Sequence, residues 1–575
     1  MTTLIRLIAA LVAVVLAASS AARVDAASPF VHGKIFFNNE SGASVEDSKP
    51  VYGCCESTKL DADTCPEDLD EDHHRLLGKV QIGTMPQMTS EQALDVLESS
   101  VGAWNGGSGV WPQMSLSDRV ASVQSFLAEL QHKREEIVQV LMFEIGKNKK
   151  DAEAEFDRTI IFAESTIDYI KGSGQFGSGW DASNGNTRLF LSRAAVGVVM
   201  TLAPYNYPLN ESYAALIPAL LMGNCVILKV PTIGGLAHML TIEAISKTLP
   251  PGTLNFISGS GRKTMPPLMR TGKIDSLAFI GGSKAADDLI KAHPEPHRLK
   301  LFLQLEAKNM GVFMPNLFDE DVDDTELEHA LKETITGTLS FNGQRCTALK
   351  LLFVPRLHSE AFADRLARKV EKLSVGLPHE QAEGKFSSIT PLPGRGRIDY
   401  MRSLIDDAIE KGARIVNKNG GMVVGEGEAN ESTLMVPAVL YPVKRGMRIY
   451  EEEQFGPVVP VTPYDSIDEV EEYARTGQYG QQVSIFTSKS NGALSGSLVD
   501  KFSTVFGKIN INSQCGRSPD TAPFSGRRSS AMGTMSVSHA LMEFSIPTVV
   551  SYKDVGSNAE IVQDIAKSSR FMETI

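Results

Sequence analysis

FNGQRCTALK, residues 341–350, is the stretch on which the interpretation of the chain depends, because it places Cys346 directly after an arginine. By itself the stretch leaves three roles open for this cysteine: a nucleophile, a small buried residue or half of a disulfide. Packing is the commonest role of such a cysteine, so the rest of the chain has to distinguish them. The apolar run LKLLFVP, which begins at Leu349, predicts a strand immediately after it.

Length and composition describe an ordinary globular protein of several domains. The chain has 575 residues, too many for one hydrophobic core, and we expect two or three domains. Apolar residues make up 42% and charged residues 22%, which is usual for such proteins. The net charge of −13 and the lack of a basic stripe with aromatic residues argue against a nucleic-acid partner.

Residues 1–27 have the pattern of a signal peptide. A basic start at Arg6 precedes the apolar run Leu7–Ala18, and small residues surround a cleavage site near Ala26 or Ala27. The apolar run is too short to span a bilayer comfortably, so we expect no integral membrane segment after its removal. We therefore expect entry into the secretory pathway, ending in secretion, in the endoplasmic reticulum lumen or, by that route, in a plastid-like organelle.

Residues 28–77 form an acidic N-terminal extension that carries Cys54, Cys55 and Cys65. In an oxidising compartment, Cys65 could pair with either of the other two cysteines. An exposed insert without a disulfide is the alternative. We predict no metal site in the chain.

From about residue 195 onward, short apolar runs alternate with helical patterns. VGVVMTLAP, NCVILKV, TLNFISG and SLAFIGG are typical of buried strands that end near Gly or Pro, and ESYAALIPALLM is typical of a helix. A second alternation of this kind begins near residue 311. The pattern predicts an α/β fold with parallel sheets, which bind ligands at the carboxyl ends of their strands.

Four segments can be compared with known families by their order and spacing: PYNYPLNE (204–211) with GNCVILKVPT (223–232), FIGGS (279–283), GQRCT (343–347) and EEEQFGPV (451–458). Together they resemble the aldehyde dehydrogenase superfamily over about residues 78–555. GQRCTA and the loop NSQCGRSPDTAPFSG (512–526) resemble most closely its NADP-dependent, non-phosphorylating glyceraldehyde-3-phosphate dehydrogenase branch.

The resemblance implies the aldehyde dehydrogenase fold, with a Rossmann-like cofactor domain, an α/β catalytic domain and a small oligomerisation sheet. On this chain the NAD(P)-binding domain would take residues 78–178 and 196–306, and the catalytic domain residues 307–535. The oligomerisation segments would be residues 179–195 and 536–556. Family members are dimers or tetramers, so a homodimer or a homotetramer is implied as well.

The resemblance assigns the nucleophile to Cys346 and the oxyanion donors to the Asn206 side-chain amide and the Cys346 backbone N–H. A thiolate adds to an aldehyde to form a thiohemiacetal, whose oxyanion needs fixed hydrogen-bond donors. Loss of a hydride to the nicotinamide then leaves a thioester. A disulfide at Cys346 would abolish this chemistry, so we do not expect one there.

The resemblance also implies which residues bind the cofactor: Lys229, Thr232, Gly281, Gly282, Glu453 and Phe455. Lys229 corresponds to the lysine that holds the adenosine ribose, and Glu453 with Phe455 to the pair that positions the nicotinamide ribose and ring. Many NAD-preferring relatives carry glutamate at the position of Thr232. Without that acid the 2′-phosphate of NADP is not repelled, so NADP is the favoured cofactor and NAD stays an alternative. The adjacent glycines let the backbone approach a pyrophosphate at the start of the next helix.

In the same branch, three arginines and a tyrosine hold the substrate phosphate, and they fall on Arg158, Tyr207, Arg345 and Arg517. All four positions match in residue type, and arginine offers paired donors to a phosphate. The implied substrate is a small phosphorylated aldehyde. The implied reaction is the oxidation of glyceraldehyde 3-phosphate to 3-phosphoglycerate with NADP and water.

The segment LQLEAK (303–308) departs from the family pattern Leu-Glu-Leu-Gly-Gly-Lys. Gln304 stands where the family glutamate activates the water that hydrolyses the thioester, and an amide cannot act as that base. If the strand continues, Glu306 faces the same side about 7 Å away and is the candidate base. Two alternatives stay open: transfer of the acyl group to coenzyme A, or a catalytically retired scaffold that acts as a binding protein.

Overall fold

The computed structural model describes residues 31–32, 36–37, 40–41, 48–52, 81–176, 180–182, 185–320, 322–378, 385–425, 432–489 and 492–573. The predicted signal peptide and the cysteines Cys54, Cys55 and Cys65 lie outside these residues. Strands and helices alternate over most of the described chain, and the parallel sheets confirm the predicted α/β fold.

The first large sheet has six strands, of which five are parallel. From edge to edge they are Leu254–Ile257, Cys225–Lys229, Val198–Leu202, Ser276–Ile280, Lys300–Gln304 and the antiparallel Ala531–Met532. Their apolar sequences are buried along almost their whole length, as expected for a parallel sheet covered on both faces. Lys229, Gly281 and Gln304 lie at the carboxyl ends of parallel strands and therefore at one edge of this sheet.

The second large sheet has seven strands, parallel except for the first. In order they are Arg414–Ile415, Ala438–Tyr441, Val458–Tyr464, Leu349–Pro355, Asn309–Phe313, Gln482–Phe486 and Lys508–Ile511. The central strand, Leu349–Pro355, begins three residues after Cys346, as the sequence predicts. Residues 305–308 connect the last parallel strand of the first sheet to Asn309–Phe313 of the second.

The third sheet is antiparallel and has three strands, Ser545–Lys553, Thr187–Ala195 and Trp180–Ala182. Its edge strand, Ser545–Lys553, is exposed over most of its length, including Ile546 and Val549. The remaining strands are short and form small ladders: Val31–His32, Gln81–Pro86 and Ser48–Tyr52; Phe36–Phe37 and Glu40–Ser41; and Tyr479–Gly480 and Arg527–Arg528.

The helices pack around these sheets. They are Ser90–Trp104, Val110–Gln113, Leu116–Gln131, Arg134–Ile145, Lys149–Gly172, Asn210–Leu221, Leu236–Met239, Ile242–Thr248, Gly261–Arg270, Ser283–Ala292, Asp324–Leu339, Arg356–Val370, Arg395–Glu410, Arg448–Glu451, Ile467–Thr476, Gly492–Phe502, Val537–Glu543 and Asn558–Ser568. Several begin at a side-chain cap; Ser115, for example, accepts the Asp118 N–H at 3.1 Å.

Two kinds of feature are absent from the described residues. No helix among them is both long and apolar enough to cross a membrane. No group of three or more His, Cys, Asp or Glu side chains within those ranges is arranged to hold a metal ion.

His238 is fully buried in an aromatic cluster of the core. Its ring lies nearly parallel to that of Tyr213, with centroids 5.9 Å apart, and packs edge to face against Phe256. Burial lowers the pKa of His238 to about 3, because the charged imidazolium would lose its hydration. The folded protein therefore holds this histidine neutral at physiological pH.

Acid is expected to destabilise the fold through His238. An unfolded histidine binds a proton near pH 6.5, whereas folded His238 resists it, so protons favour the unfolded chain below that pH. At pH 5.0 the loss amounts to about 2 kcal/mol. The fall in the thermal midpoint between pH 7.5 and 5.0 is expected to be smaller in His238→Phe than in the wild type. The exposed His297→Gln is the control, and equal falls in all three proteins would contradict the prediction.

Candidate active site

The loop before the candidate nucleophile has an unusual backbone. Phe341, Asn342 and Gly343 are consecutive and all left-handed, with φ values of 48°, 54° and 71°. The Asn342 side chain supports this conformation by donating to Thr390 and accepting its N–H at 2.9 Å. A Cβ at Gly343 would lie 2.7 Å from the Gly456 carbonyl oxygen, so only glycine fits there. Strained backbone of this kind is concentrated at functional sites.

This loop carries Cys346 and is hydrogen-bonded to Asn206. Cys346 is half-buried and carries a free thiol. The Asn206 Nδ2 atom donates to the Gln344 carbonyl at 2.9 Å, and an amide nitrogen carries a second N–H. Asn309 Nδ2 donates to the Cys346 carbonyl at 2.7 Å and fixes the other side of the loop. The arrangement places the Asn206 amide against the loop that carries Cys346, where its second N–H is the candidate oxyanion donor.

The thiol of Cys346 is protonated in the ligand-free protein. Burial raises its pKa to about 12, and the carboxylates of Glu211 and Glu453 act in the same direction. The cations of Lys350 and Arg517 oppose this shift. The thiol therefore has to lose its proton, on ligand binding or to a proton acceptor, before it can act as a nucleophile.

Alkylation of Cys346 by iodoacetamide is expected to speed up about tenfold per pH unit from about pH 7 to about pH 10, without a plateau. The reason is that the reactive thiolate is a small fraction throughout this range. The measurement is mass spectrometry of the peptide that contains Cys346 after brief exposure of the ligand-free protein. The same peptide in denatured protein is the control, and its rate should level off above about pH 9. A plateau in the alkylation rate of the folded protein below about pH 9 would contradict the prediction.

Lys229 lies where the first sheet meets the helix Gly261–Arg270. The Lys229 Nζ atom is buried and donates to the Val230 carbonyl at 2.5 Å. Burial lowers the pKa of Lys229 to about 8. Its Cε atom lies 3.8 Å from the position of a Cβ on Gly261, and Thr232 is exposed. Lys229 thus places one cation at the start of this helix.

Glu453 and Phe455 share a partner that the sequence reasoning missed. Lys350 is buried in the central strand, with its Nζ atom 3.4 Å from Glu453 Oε1 and 4.2 Å from the centre of the Phe455 ring. The Lys350 Nζ atom also donates to the Gln454 carbonyl at 2.7 Å. The ring of Tyr205 packs against Phe455 at 6.1 Å, which joins this group to the segment that carries Asn206.

The structure places Gln304 and Glu306 differently from the sequence-based expectation. The strand ends at Gln304, so the same-face argument for Glu306, which needs a continuing strand, does not apply. Gln304 is buried, and neither its amide nitrogen nor its oxygen has a hydrogen-bond partner among the described residues. The Glu306 carboxylate instead accepts the Ser283 N–H at 2.8 Å, next to Gly281 and Gly282.

The predicted phosphate-binding residues come together, but acids that the sequence reasoning missed are among them. Asp520 pairs with Arg158 at 2.8 Å and with Arg517 at 3.0 Å, and Arg517 also pairs with Glu211 at 2.9 Å. Arg345 has no such acid; its Nη2 atom donates to the Thr336 and Gly337 carbonyls and to Gln514. The three arginines and two carboxylates leave a net charge of +1.

Tyr207 lies between this charged group and the loop of Cys346. Its ring covers the buried Lys147 Nζ atom at 3.5 Å and packs edge to face against Phe341 at 5.9 Å. Lys147 is paired with Glu155, which also accepts the N–H groups of Leu209 and Asn210. This buried ion pair positions the segment that carries Asn206 and Tyr207.

The fold and this arrangement of cysteine, amide and cofactor-binding positions are those of an oxidoreductase that acts on aldehydes. The model of the aldehyde dehydrogenase family matches residues 74–550, and the chain belongs to that family. The family membership predicted from the motifs is thereby confirmed.

Two relatives of the chain carry the same name. The NADP-dependent glyceraldehyde-3-phosphate dehydrogenase of Streptococcus equinus is 29% identical over 465 residues, 80% of this chain and 91% of that one. The enzyme of the same name from Pisum sativum is 28% identical over 460 residues, 79% of this chain and 86% of that one.

A solved structure has the same fold. It is the NADP-dependent glyceraldehyde-3-phosphate dehydrogenase from Bacillus halodurans, complexed with NADP, and the two structures superpose with a TM-score of 0.76. The superposition covers 91% of this chain and 100% of that chain at 24% identity. At this identity the likeness shows the fold alone.

Proposed function

We propose that the chain is an NADP-dependent dehydrogenase that oxidises glyceraldehyde 3-phosphate to 3-phosphoglycerate. The observation that carries the proposal is the hydrogen bond from Asn206 to the Gln344 carbonyl, which places an oxyanion donor beside the loop of Cys346. The names of relatives that are 28–29% identical support both the cofactor and the substrate.

The residues present fit NADP at two points. Lys229 is a buried cation bound only to a backbone carbonyl in the described structure, as suits a group that binds ribose and phosphate oxygens. Glu453 Oε1 is buried and faces Lys350 Nζ at 3.4 Å, and a carboxylate oxygen in this position can also accept a hydrogen bond from a ribose hydroxyl. NADP, when bound, accepts the hydride that leaves the aldehyde carbon.

The chain's own residues carry the remaining steps. Cys346 loses its proton, and its sulfur bonds to the aldehyde carbon while the carbonyl oxygen becomes an oxyanion. The second Asn206 N–H and the Cys346 backbone N–H stabilise that oxyanion. When its C–H bond has broken, the adduct is a thioester, and water then releases the acid and restores the thiol. Overall, the aldehyde loses two electrons as a hydride, water supplies one oxygen, and two protons are released because the product is a carboxylate.

The arginine cluster supports an anionic substrate. Arg345 has no acidic partner within the described residues, and it directly precedes Cys346 in the chain. Arg158 and Arg517 already donate to Asp520. A phosphate on the substrate would compete with Asp520 for these arginines, and it can do so because it accepts charge-assisted, bidentate hydrogen bonds from them. The positive net charge of the cluster favours a phosphate over a neutral group.

Hydrolysis of the thioester is the slow step in this proposal. Gln304 is buried and cannot remove a proton from water, and Glu306 is engaged by the Ser283 N–H. The same observation favours a second candidate function, in which a thiol such as coenzyme A takes the acyl group. A thiolate attacks a thioester without needing the missing base.

Assembly and destination are also part of the proposal. The exposed edge strand Ser545–Lys553, with Ile546 and Val549 on it, supports a homodimer or a homotetramer formed through the third sheet. Light scattering after size-exclusion chromatography tests this. Residues 1–27 would bring the chain into the secretory pathway, and a mature N-terminus near residue 27 or 28 would support that.

The deciding experiment is NADPH formation by residues 28–575 with glyceraldehyde 3-phosphate and NADP, followed from the first turnover. A burst of about one NADPH per site and then slow turnover supports the proposal with limiting hydrolysis. If coenzyme A makes the slow phase fast, the second candidate is favoured. No NADPH even in the burst would contradict the substrate or the enzymatic role itself.

A further inference from the structure

Glu306 lies beside Gly281 and Gly282, the glycines whose backbone is predicted to approach the cofactor pyrophosphate. The helix Ser283–Ala292 begins directly after two glycines, and its first N–H donates to Glu306 Oε2 at 2.8 Å. The Oε1 atom is 3.1 Å from the position that a Cβ on Gly282 would take. The carboxylate therefore fills the space above the glycines and occupies the N–H that the helix start would offer to an anion.

The register of the sheet explains this position. Ile280 and Gln304 are paired at the ends of two neighbouring parallel strands, and the Gly281 N–H still donates to the Gln304 carbonyl at 3.1 Å. Gly282 and Glu306 are therefore each two residues past the end of their strands, side by side. A glycine at position 306 would leave the space open, whereas the glutamate side chain closes it.

Nothing in the described surroundings neutralises Glu306. It has no ion-pair partner among the described residues, and Lys308, two residues on, is held by the Ile449 and Glu452 carbonyls at 2.6 and 2.7 Å. The pKa of Glu453 is raised, chiefly by burial and further by the charge of Glu306. Glu306 thus adds a carboxylate without an ion-pair partner in the described chain at the helix start where a doubly charged pyrophosphate would bind.

We propose that Glu306 determines the affinity for the cofactor, and that its carboxylate must leave the Ser283 N–H before the pyrophosphate can bind. This inference rests on the proposed function, because it concerns the same cofactor. The partial positive charge of a helix start stabilises one anion, and a second anion beside the first is repelled. The ligand-free protein thus has a capped helix, and NADP binds more weakly than it would to a chain with an uncharged residue 306.

The test is calorimetric titration of the full chain with NADP in the absence of aldehyde. Glu306→Gln keeps an oxygen that can accept the Ser283 N–H but removes the charge, and Glu306→Gly clears the space as well. Both variants are expected to bind NADP roughly tenfold more tightly, equivalent to about 1.4 kcal/mol. Asp287→Asn is the matched control, since it removes one charge from an exposed position on the same helix. Its dissociation constant is expected to stay within about twofold.

Two fragments of the cofactor locate the effect. 2′-Phospho-ADP-ribose retains the pyrophosphate, so its affinity should increase in the Glu306 variants as much as that of NADP. 2′-AMP has no pyrophosphate, so its affinity should not increase. Unchanged NADP binding in both Glu306 variants would overturn the inference and leave the proposed function standing. An equal gain for 2′-AMP would also overturn it, because the effect would not be local. If no protein in the set bound NADP, the proposed cofactor would fail and this inference with it. Should Glu306→Gly unfold, the Gln variant decides.

Discussion

Replacing Cys346 with alanine is expected to eliminate NADPH formation from glyceraldehyde 3-phosphate, with a loss of at least about 10⁴-fold. The hydride can leave only from a tetrahedral adduct, and alanine offers no atom that could form one. The burst in the first turnover should therefore vanish together with the steady-state rate. Rapid mixing, with NADPH followed by its absorbance, measures both.

The control for this prediction is Cys225→Ala. Cys225 is a fully buried cysteine whose pKa burial raises to about 12, as for Cys346, but it lies within a strand of the first sheet. Its replacement removes the same atoms and is expected to leave the burst within about twofold. The increase in the thermal midpoint on adding NADP should persist in Cys346→Ala, since that residue is not needed to bind the cofactor. A remaining burst in Cys346→Ala would contradict the assignment of the nucleophile.

The parallel sheets could be predicted from the sequence because their signals are local. Runs such as NCVILKV hold four consecutive apolar residues and end near proline, which is typical of a short strand buried on both faces. The structure confirms this for Cys225–Lys229 and confirms that Cys225 is buried. The strand after Cys346 follows from the same reasoning applied to LKLLFVP.

One residue of that strand was a signal that the sequence reasoning missed. Lys350 interrupts an otherwise apolar run, and a lysine fully buried in a strand needs specific partners. The structure supplies them as Glu453, the Phe455 ring and the Gln454 carbonyl. A charged residue in a run predicted to be buried would thus have pointed to the site from the sequence alone.

Other features depend on contacts that no local pattern contains. The left-handed conformations of Phe341 and Asn342 are stabilised by Thr390, which is 48 residues away from Asn342. The pairing of Arg158 with Asp520 joins residues 362 positions apart. The sequence shows that these residue types are present, but only the folded chain shows that the arginines are already neutralised in part.

Gln304→Glu is expected to raise the steady-state rate of NADPH formation by about 100-fold while leaving the burst unchanged. A carboxylate at this buried position can remove a proton from the water that attacks the thioester, which the amide cannot do. Burial raises the pKa of a carboxyl group towards neutrality, and this suits a general base. Burst amplitude and slow phase from the same rapid-mixing trace give the two quantities separately.

Two variants make this prediction specific. Gln304→Met keeps a similar size without any hydrogen-bonding group, and its slow phase should equal that of the wild type, because the amide does not act as the base. Glu306→Gln tests the remaining candidate base. With Glu306 acting only as the cap of the helix Ser283–Ala292, its loss should not slow hydrolysis.

The three variants together distinguish between two mechanisms of hydrolysis. If the wild type already turns over as fast as its burst and Glu306→Gln stops after one turnover, Glu306 leaves the Ser283 N–H during the reaction and serves as the base. Gln304→Glu would then gain little, and hydrolysis would not be the slow step. If Gln304→Glu accelerates the slow phase and Glu306→Gln does not change it, the wild type lacks a base at position 304. The glutamine there then accounts by itself for the slow hydrolysis of the thioester.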